Sequence, residues 1–137
     1  MSPTTSTSPF RVAVVGCGAV TKASLLPVLA GHDRIKVVAL VDRDLTRARE
    51  LADAYGITRT EADVSVITRA EADGIVLATP PAHHAPASIA LAGLGFHVFV
   101  EKPMAINGAD GAAMVEAAER AGVVLAVGLY RDRKSVV

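Results

Sequence analysis

A chain of 137 residues is long enough for one domain, and its 14 basic and 14 acidic side chains balance, which disfavours nucleic acid or an anionic membrane surface as a partner. A single cysteine excludes an internal disulfide and disfavours a cysteine-based zinc site, and no grouping of His, Asp or Glu has metal-ligand spacing. The Ser/Thr/Pro-rich residues 1–9 lack the basic and apolar regions of a secretory signal, so we expect a disordered lead-in and a cytoplasmic protein without membrane spans.

The first predicted element is a buried strand that ends in a glycine turn and leads into a helix. Apolar residues run through 12–15, and the turn is Gly16-Cys17-Gly18. Gly16 permits the sharp turn, and Gly18 lets a pyrophosphate approach the backbone because no Cβ intervenes. The apolar spacing predicts a buried helix face made of Ala19, Ala23, Leu26 and Leu29.

The start of this helix is suited to phosphate. The N–H groups of Ala19, Val20 and Thr21 would face the phosphates at the positive end of the helix dipole. Thr21 occupies the position where a dinucleotide fingerprint usually has Gly or Ala, so the match is incomplete, and we expect its branched side chain to push the helix slightly off the strand.

Strands and helices then alternate along the chain. Strands are predicted at 35–41, 74–78, 96–100 and 123–127, and helices at 45–55, 84–94 and 107–120. The pattern is least regular between 57 and 72, where we expect a short strand and a helix around 63–68. This alternation predicts an α/β fold with a doubly wound parallel sheet and right-handed crossovers, the Rossmann fold.

Polar residues follow several predicted strands, and ligands of such sheets bind beyond the carboxyl ends of the strands. Asp42 follows strand 35–41, near the offset from the glycine turn at which a carboxylate accepts hydrogen bonds from the adenosine ribose. This favours NAD, whereas the adjacent Arg43 would also suit the 2′-phosphate of NADP. The alternative role for Asp42 is to cap the next helix, for which Asp44 is better placed.

Lys102 is the predicted catalytic residue. It lies between Glu101 and Pro103 just after strand 96–100, where the backbone has little freedom. The positive charge of an oxidised nicotinamide and desolvation would both disfavour its ammonium form, so its amine could accept a proton from a substrate hydroxyl. The alternative is an ion pair with Glu101, although neighbouring strand residues point to opposite faces.

A third polar segment follows strand 74–78. It contains Thr79 and Pro80, and the next helix opens with His83 and His84. We expect His84 to contact the cofactor or the substrate. The alternative is a polar surface position at the start of a helix.

Several segments of the sequence resemble the N-terminal half of the Gfo/Idh/MocA oxidoreductases: VAVVGCGAV, ALVD, ATPPAHH, EKPMA and AVGLYR. The similarity extends over about residues 10–131, and EKPMA is its most specific part. The resemblance implies a Rossmann domain and an NAD(P)-dependent activity on sugars, inositols or related polyols. It implies a catalytic role for Lys102 and cofactor contacts for Gly16, Gly18, Ala19, Val20, Asp42, Thr79, Pro80, His84, Glu101 and Lys102.

The sequence departs from that family in two ways. Pro81 stands where Asn is usual. The resemblance also implies a C-terminal domain that binds substrate and carries a proton-transferring histidine, which we expect this chain to lack. We therefore predict a nucleotide-binding domain at 10–131 from a truncated enzyme. The codons that would encode residues 132–137 resemble a sequencing adapter, which predicts a non-native tail there; a natural short basic tail is the alternative.

The predicted function is hydride transfer between the nicotinamide of NAD, or of NADP, and a hydroxyl-bearing sugar, inositol or related polyol. We expect the short chain to bind cofactor with little turnover, and the full-length enzyme to be a homo-oligomer. Two other classes stay open: a non-catalytic dinucleotide-binding regulatory module and an S-adenosylmethionine methyltransferase. The methyltransferase would not explain the segment Glu101-Lys102-Pro103.

Overall fold

A computed structural model describes residues 8–128 of the chain. The predicted tail at 132–137 and the first seven residues of the predicted lead-in lie outside the described residues. Within them, six parallel strands form one sheet. The strands are β1 Phe10–Val15, β2 Ile35–Val41, β3 Thr60–Glu61, β4 Gly74–Leu77, β5 His97–Val100 and β6 Leu125–Val127.

The order of the strands is β3-β2-β1-β4-β5-β6, so the direction of winding reverses between β1 and β4. This is the order of a dinucleotide-binding Rossmann sheet, and the predicted doubly wound parallel fold is confirmed. The carboxyl ends of the strands are level, because Val15 pairs with both Val41 and Leu77. Leu77 in turn pairs with Val100, which pairs with Val127. The residues that follow these strands therefore share one edge of the sheet.

Four α-helices pack against the sheet: α1 Leu26–Ala30, α2 Leu45–Tyr55, α3 His84–Gly93 and α4 Gly108–Ala121. Side chains cap two of them. Asp44 accepts a hydrogen bond from the N–H of Arg47 at 3.2 Å, and Asn107 accepts one from the N–H of Asp110 at 2.8 Å. The predicted bounds of α2 are confirmed, while the later strands are one or two residues shorter than predicted.

The helix predicted around 63–68 is wrong. The short strand β3 is present, but the residues after it form only a 3-10 turn, Val64–Val66. The side chain of Asp63 accepts a hydrogen bond from the N–H of Ser65 at 2.9 Å, which closes a local turn. The β-branched Val64 and Val66 also favour a helix only weakly. The alternation of strands and helices is therefore interrupted between β3 and β4.

The segment after the glycine turn is helical, but it buries a different face from the one predicted. Thr21–Leu25 form a π-helical turn, which is wider than an α-helical turn and changes the phase of the side chains. Thr21 is buried, whereas Ala19 and Ala23 are exposed, so the predicted face is wrong for these two alanines. The Thr21 hydroxyl donates to the carbonyl oxygen of Gly16 at 2.5 Å and so joins the helix to the turn.

Apolar side chains form two clusters on opposite faces of the sheet. One lies under α3 and α4 and includes Leu91 and Met114, and the other lies under α1 and α2 and includes Leu26 and Leu51. On the face of the second cluster, a groove of about 350 Å³ runs over β4, β5 and β6 and is lined mainly by apolar residues. Parallel sheets normally have both faces covered, so this groove is apolar surface that the described residues leave open.

The amino edge of the sheet carries an ion pair between the start of β1 and the residue before β4. Nη2 of Arg11 lies 2.9 Å from Oδ1 of Asp73, and the backbone N–H of Arg11 donates to Oδ2 at 2.9 Å. The Arg11 guanidinium holds the pKa of Asp73 well below its usual range. This pair joins two strands at the edge opposite the polar residues discussed below.

Candidate functional site

A cleft of about 920 Å³ opens at the carboxyl edge of the sheet, where the winding reverses between β1 and β4. The glycine turn after β1 lines one part of the cleft, and Thr79 and Pro80 after β4 line another. Asp42, Arg43 and Arg47 line the part near the end of β2. The fold therefore brings three predicted segments together, as expected from strand ends that share one edge.

The two glycines of the turn have different structural roles. Gly16 has a φ of +99°, and a Cβ there would lie 2.5 Å from the carbonyl oxygen of Ala78. This position therefore requires glycine both for its backbone conformation and for contact with the end of β4. At Gly18 a Cβ would meet nothing within 4 Å, so this residue borders open space in the cleft. A side chain here would fill the cleft without disturbing the fold.

Asp42 holds the glycine turn in place. One carboxylate oxygen, Oδ2, accepts a hydrogen bond from the N–H of Cys17 at 2.9 Å, and the other, Oδ1, accepts one from the N–H of Asp44 at 2.8 Å. Asp44, and not Asp42, caps α2. The spacing in the sequence placed Asp42 near the site, but its bond to Cys17 is visible only in the fold.

Arg47 is a cleft residue that the sequence interpretation missed. Its Nη1 lies 3.8 Å from Oδ2 of Asp42, and its side chain is 55% exposed. It lies in the first turn of α2, after the residue that caps the helix, and no motif singles it out. The only available signal was its nearness in the sequence to Asp42 and Arg43.

Cys17 lies inside the turn as a buried thiol. Its side chain is 3% exposed, and Sγ lies 3.7 Å from the carbonyl oxygen of Val41. Burial, and secondly the negative charge of Asp42, raise the pKa of the Cys17 thiol to about 11, although Arg47 acts in the opposite direction. The thiol is therefore protonated at neutral pH, which disfavours a nucleophilic role.

This raised pKa predicts a loss of stability at high pH. The unfolded chain loses the thiol proton at about pH 9, whereas the folded chain keeps it to about pH 11, so stability falls as the pH rises between these values. We expect the free energy of unfolding to fall by up to about 3 kcal/mol more in the wild type than in Cys17→Ala over this range. Urea unfolding of both proteins at several pH values measures the difference, and parallel curves would contradict the prediction.

Thr79 carries an unsatisfied hydroxyl beside the cleft. Its Oγ1 is buried and has no hydrogen-bond partner among residues 8–128. A buried hydroxyl without a partner costs free energy, so a group bound in the cleft would stabilise it. Pro80 also lines the cleft, but it is exposed and immediately precedes the 3-10 turn Pro81–His83 that leads to α3.

His84 is placed behind the cleft and not among its lining residues. Its side chain is 1% exposed, with Nε2 lying 2.8 Å from the carbonyl oxygen of Thr79 and Nδ1 lying 3.0 Å from that of Pro103. The alternative of a polar surface position is therefore wrong. The neighbouring His83 is exposed and lines the cleft.

Glu101 and Lys102 follow β5 at the same edge, two strands from β1. The spacing of strands puts β5 roughly 10 Å from β1. Lys102 is exposed and Glu101 is half-buried, with Oε2 of Glu101 only 2.7 Å from where a Cβ at Gly128 would be. Neither residue is among the described residues that line the cleft. Ala19 and Val20 do not line it either, and both are exposed.

A family model described as "Oxidoreductase family, NAD-binding Rossmann fold" matches residues 10–129. The chain belongs to the Gfo/Idh/MocA family of oxidoreductases. This confirms the family that the glycine turn and the segment EKPMA indicated. The predicted class of cofactor is confirmed too, because the matched region is the NAD-binding domain of the Gfo/Idh/MocA family.

Curated relatives are oxidoreductases of several kinds. The chain is 37% identical to a D-apiose dehydrogenase from Paraburkholderia graminis over 126 residues, which are 90% of this chain and 33% of the relative. It is 34% identical to a 4-carboxy-2-hydroxymuconate-6-semialdehyde dehydrogenase from Sphingobium over 123 residues, which are 89% of this chain and 39% of the relative. The chain thus spans a third to two-fifths of the length of these relatives.

Solved structures of a dehydrogenase and of a ketoreductase have the same fold. The WlbA dehydrogenase from Bordetella pertussis, in complex with NADH and UDP-GlcNAcA, has a TM-score of 0.79 at 35% identity over 88% of this chain and 37% of that protein. The 3-ketoreductase KijD10 from Actinomadura kijaniata, in complex with TDP-benzene and NADP, has a TM-score of 0.82 at 25% identity over 88% and 38%. Within residues 8–128 of our chain, no helix is long and apolar enough to cross a membrane.

Proposed function

We propose that residues 10–131 form the nucleotide-binding domain of an NAD(P)-dependent dehydrogenase that acts on a hydroxyl group of a sugar, an inositol or a related polyol. The observation that carries this proposal is the cleft at the switch point between β1 and β4, bordered by a glycine whose missing Cβ leaves open space. Ligands of doubly wound sheets bind at this point.

The residues present fit a dinucleotide. Gly18 leaves room for a pyrophosphate against the backbone, next to the first N–H groups of the helical segment at 19–30, which have no partners within the helix. The buried Oγ1 of Thr79 lacks a partner that a bound group would provide. Both observations favour a cleft that binds a ligand over one that has only a structural role.

The adenosine end of the dinucleotide would lie near Asp42, with Arg43 and Arg47 beside it. Asp42 already accepts two backbone hydrogen bonds, but a carboxylate has further acceptor capacity for ribose hydroxyls. The two arginines supply positive charge for a 2′-phosphate. We propose NAD as the cofactor, with NADP also accommodated.

We propose that Lys102 assists the proton transfer. A nicotinamide dinucleotide, when bound, supplies a two-electron hydride acceptor or donor. As the alcohol is oxidised, its carbon gives up the hydride, its hydroxyl gives up a proton, and the Lys102 amine accepts that proton. Glu101, the first residue after β5, is proposed to contact the cofactor from the same edge. The reverse reaction returns the proton to a carbonyl oxygen.

The class of substrate rests on relatives that act on sugars or bind sugar nucleotides, among them the D-apiose dehydrogenase and the WlbA dehydrogenase. Because those proteins are much longer, we propose that a region beyond this domain completes the substrate site. We propose that the complete enzyme is a homo-oligomer.

Titration of this chain with NADH and with NADPH, followed by nicotinamide fluorescence, tests cofactor binding directly. We expect both to bind, NADH the more tightly, and S-adenosylmethionine not to compete. Competition by S-adenosylmethionine, or no binding of either dinucleotide, would contradict the proposal. Binding without any turnover in the complete protein would instead favour the regulatory module.

A further inference from the structure

His84 is buried between two loops that carry the predicted chemistry. It is the first residue of α3 and is 1% exposed. A buried polar ring is tolerated where its nitrogens have hydrogen-bond partners, and both nitrogens of this ring contact backbone carbonyl oxygens. One side chain thus contacts residue 79, at the cleft, and residue 103, next to Lys102.

The two carbonyl groups belong to neighbouring segments at the edge of the sheet. β4 and β5 are paired up to Leu77 and Val100, and the N–H of Glu101 then donates to the carbonyl oxygen of Leu77 at 2.9 Å. Beyond that bond, the chain segments diverge into loops, and the His84 ring lies between Thr79 and Pro103. The ring continues the link between the strands past the point where the sheet ends.

We propose that His84 is a positioning residue that ties the loop after β4 to the loop after β5 and thereby sets the place of Lys102 relative to the cleft. Each ring nitrogen lies within hydrogen-bond distance of one carbonyl oxygen, so one side chain contacts both loops. In this role His84 acts through two carbonyl groups.

Amide variants separate the two contacts. The side-chain nitrogen of Asn lies close to the position of Nδ1 and that of Gln close to Nε2, so His84→Asn keeps a donor towards Pro103 and His84→Gln keeps one towards Thr79. Each variant remains polar and fills much of the same space. If His84 only fills space and satisfies local polarity, either variant should behave like the wild type. If it ties the two loops together, both variants should lose backbone order there.

The readout is the backbone order parameter from ¹⁵N relaxation at Thr79, Lys102 and Met104, measured on this chain without nucleotide. We expect values near 0.85 in the wild type and a fall towards 0.6 at Lys102 and Met104 in His84→Asn and His84→Gln, with a larger fall in His84→Ala. Thermal unfolding of each variant shows that the fold is retained. Wild-type order parameters in both amide variants would overturn the proposal.

His32→Ala is the matched control. His32 is exposed, and its Nδ1 also accepts a backbone hydrogen bond, from Arg34 at 3.0 Å, but it lies outside both loops. We expect no change at Lys102 in this variant, and a similar fall there would overturn the proposal too. The inference uses the proposed function only for the role of Lys102. Because the relaxation experiment contains no dinucleotide, its failure is distinct from a failure of NADH to bind.

Discussion

Replacement of Lys102 by Met in the complete enzyme is expected to lower kcat by about 10²- to 10⁴-fold, the range over which a positioned acid or base contributes. The dissociation constant for NADH should change by less than about threefold, because the dinucleotide cleft is built from other residues. Steady-state kinetics on a sugar or inositol substrate, together with fluorescence titration of NADH, measure the two effects separately.

The control for this experiment is Lys36→Met. Lys36 is exposed on β2, opposite Arg11 of β1 in the strand register, near the amino edge of the sheet. The substitution therefore removes the same charge far from the proposed chemistry. Its kcat should equal that of the wild type. A fully active Lys102→Met enzyme would refute the role of Lys102 while leaving the binding of dinucleotide intact.

The two glycines of the turn should respond to substitution in opposite ways. Gly16→Ala places a Cβ 2.5 Å from the carbonyl oxygen of Ala78 at a φ of +99°, and we expect it to lower the free energy of unfolding by at least about 2 kcal/mol. Gly18→Val adds a side chain where nothing lies within 4 Å of the Cβ. It should change stability by less than about 1 kcal/mol and weaken the binding of NADH at least about tenfold.

Urea unfolding and NADH titration of both variants test this pair of predictions. Gly56→Ala serves as a reference for the backbone effect alone, because Gly56 has a φ of +69° but open space around its Cβ. If Gly18→Val binds NADH like the wild type, the pyrophosphate does not lie against Gly18. If Gly16→Ala is no less stable than Gly56→Ala, the contact with Ala78 does not restrict this position.

The arrangement also assigns two roles to one carboxylate. Asp42 accepts a hydrogen bond from the N–H of Cys17, so it shapes the turn that would hold the pyrophosphate. It also lines the cleft where the ribose would lie. Its negative charge also contributes to the raised pKa of the Cys17 thiol. A substitution at Asp42 would therefore alter both the turn and the proposed ribose contact, which is why the glycine variants are the cleaner test of cofactor binding.

Local sequence patterns predicted most of the observed secondary structure correctly. The apolar runs before Gly16 and Asp42 predicted β1 and β2, and the helix predicted at 45–55 is α2. The wrong predictions arose where a local feature of the backbone overrode the apolar pattern. Asp63 closes a turn where a helix was expected, and the π-helical turn at Thr21–Leu25 moved the buried face of the first helical segment.

Polar residues follow apolar strands in the sequence, and parallel strands bring such residues to one edge of the sheet. Periodicity alone therefore predicted a site at the carboxyl ends of the strands. The contacts between side chains and backbone groups of distant segments could not be predicted in this way. Asp42 meets Cys17 and His84 meets Pro103 because separate strands become neighbours in the sheet. Periodicity depends on the residues nearby in the chain, whereas a hydrogen bond between distant segments depends on how the whole sheet is ordered.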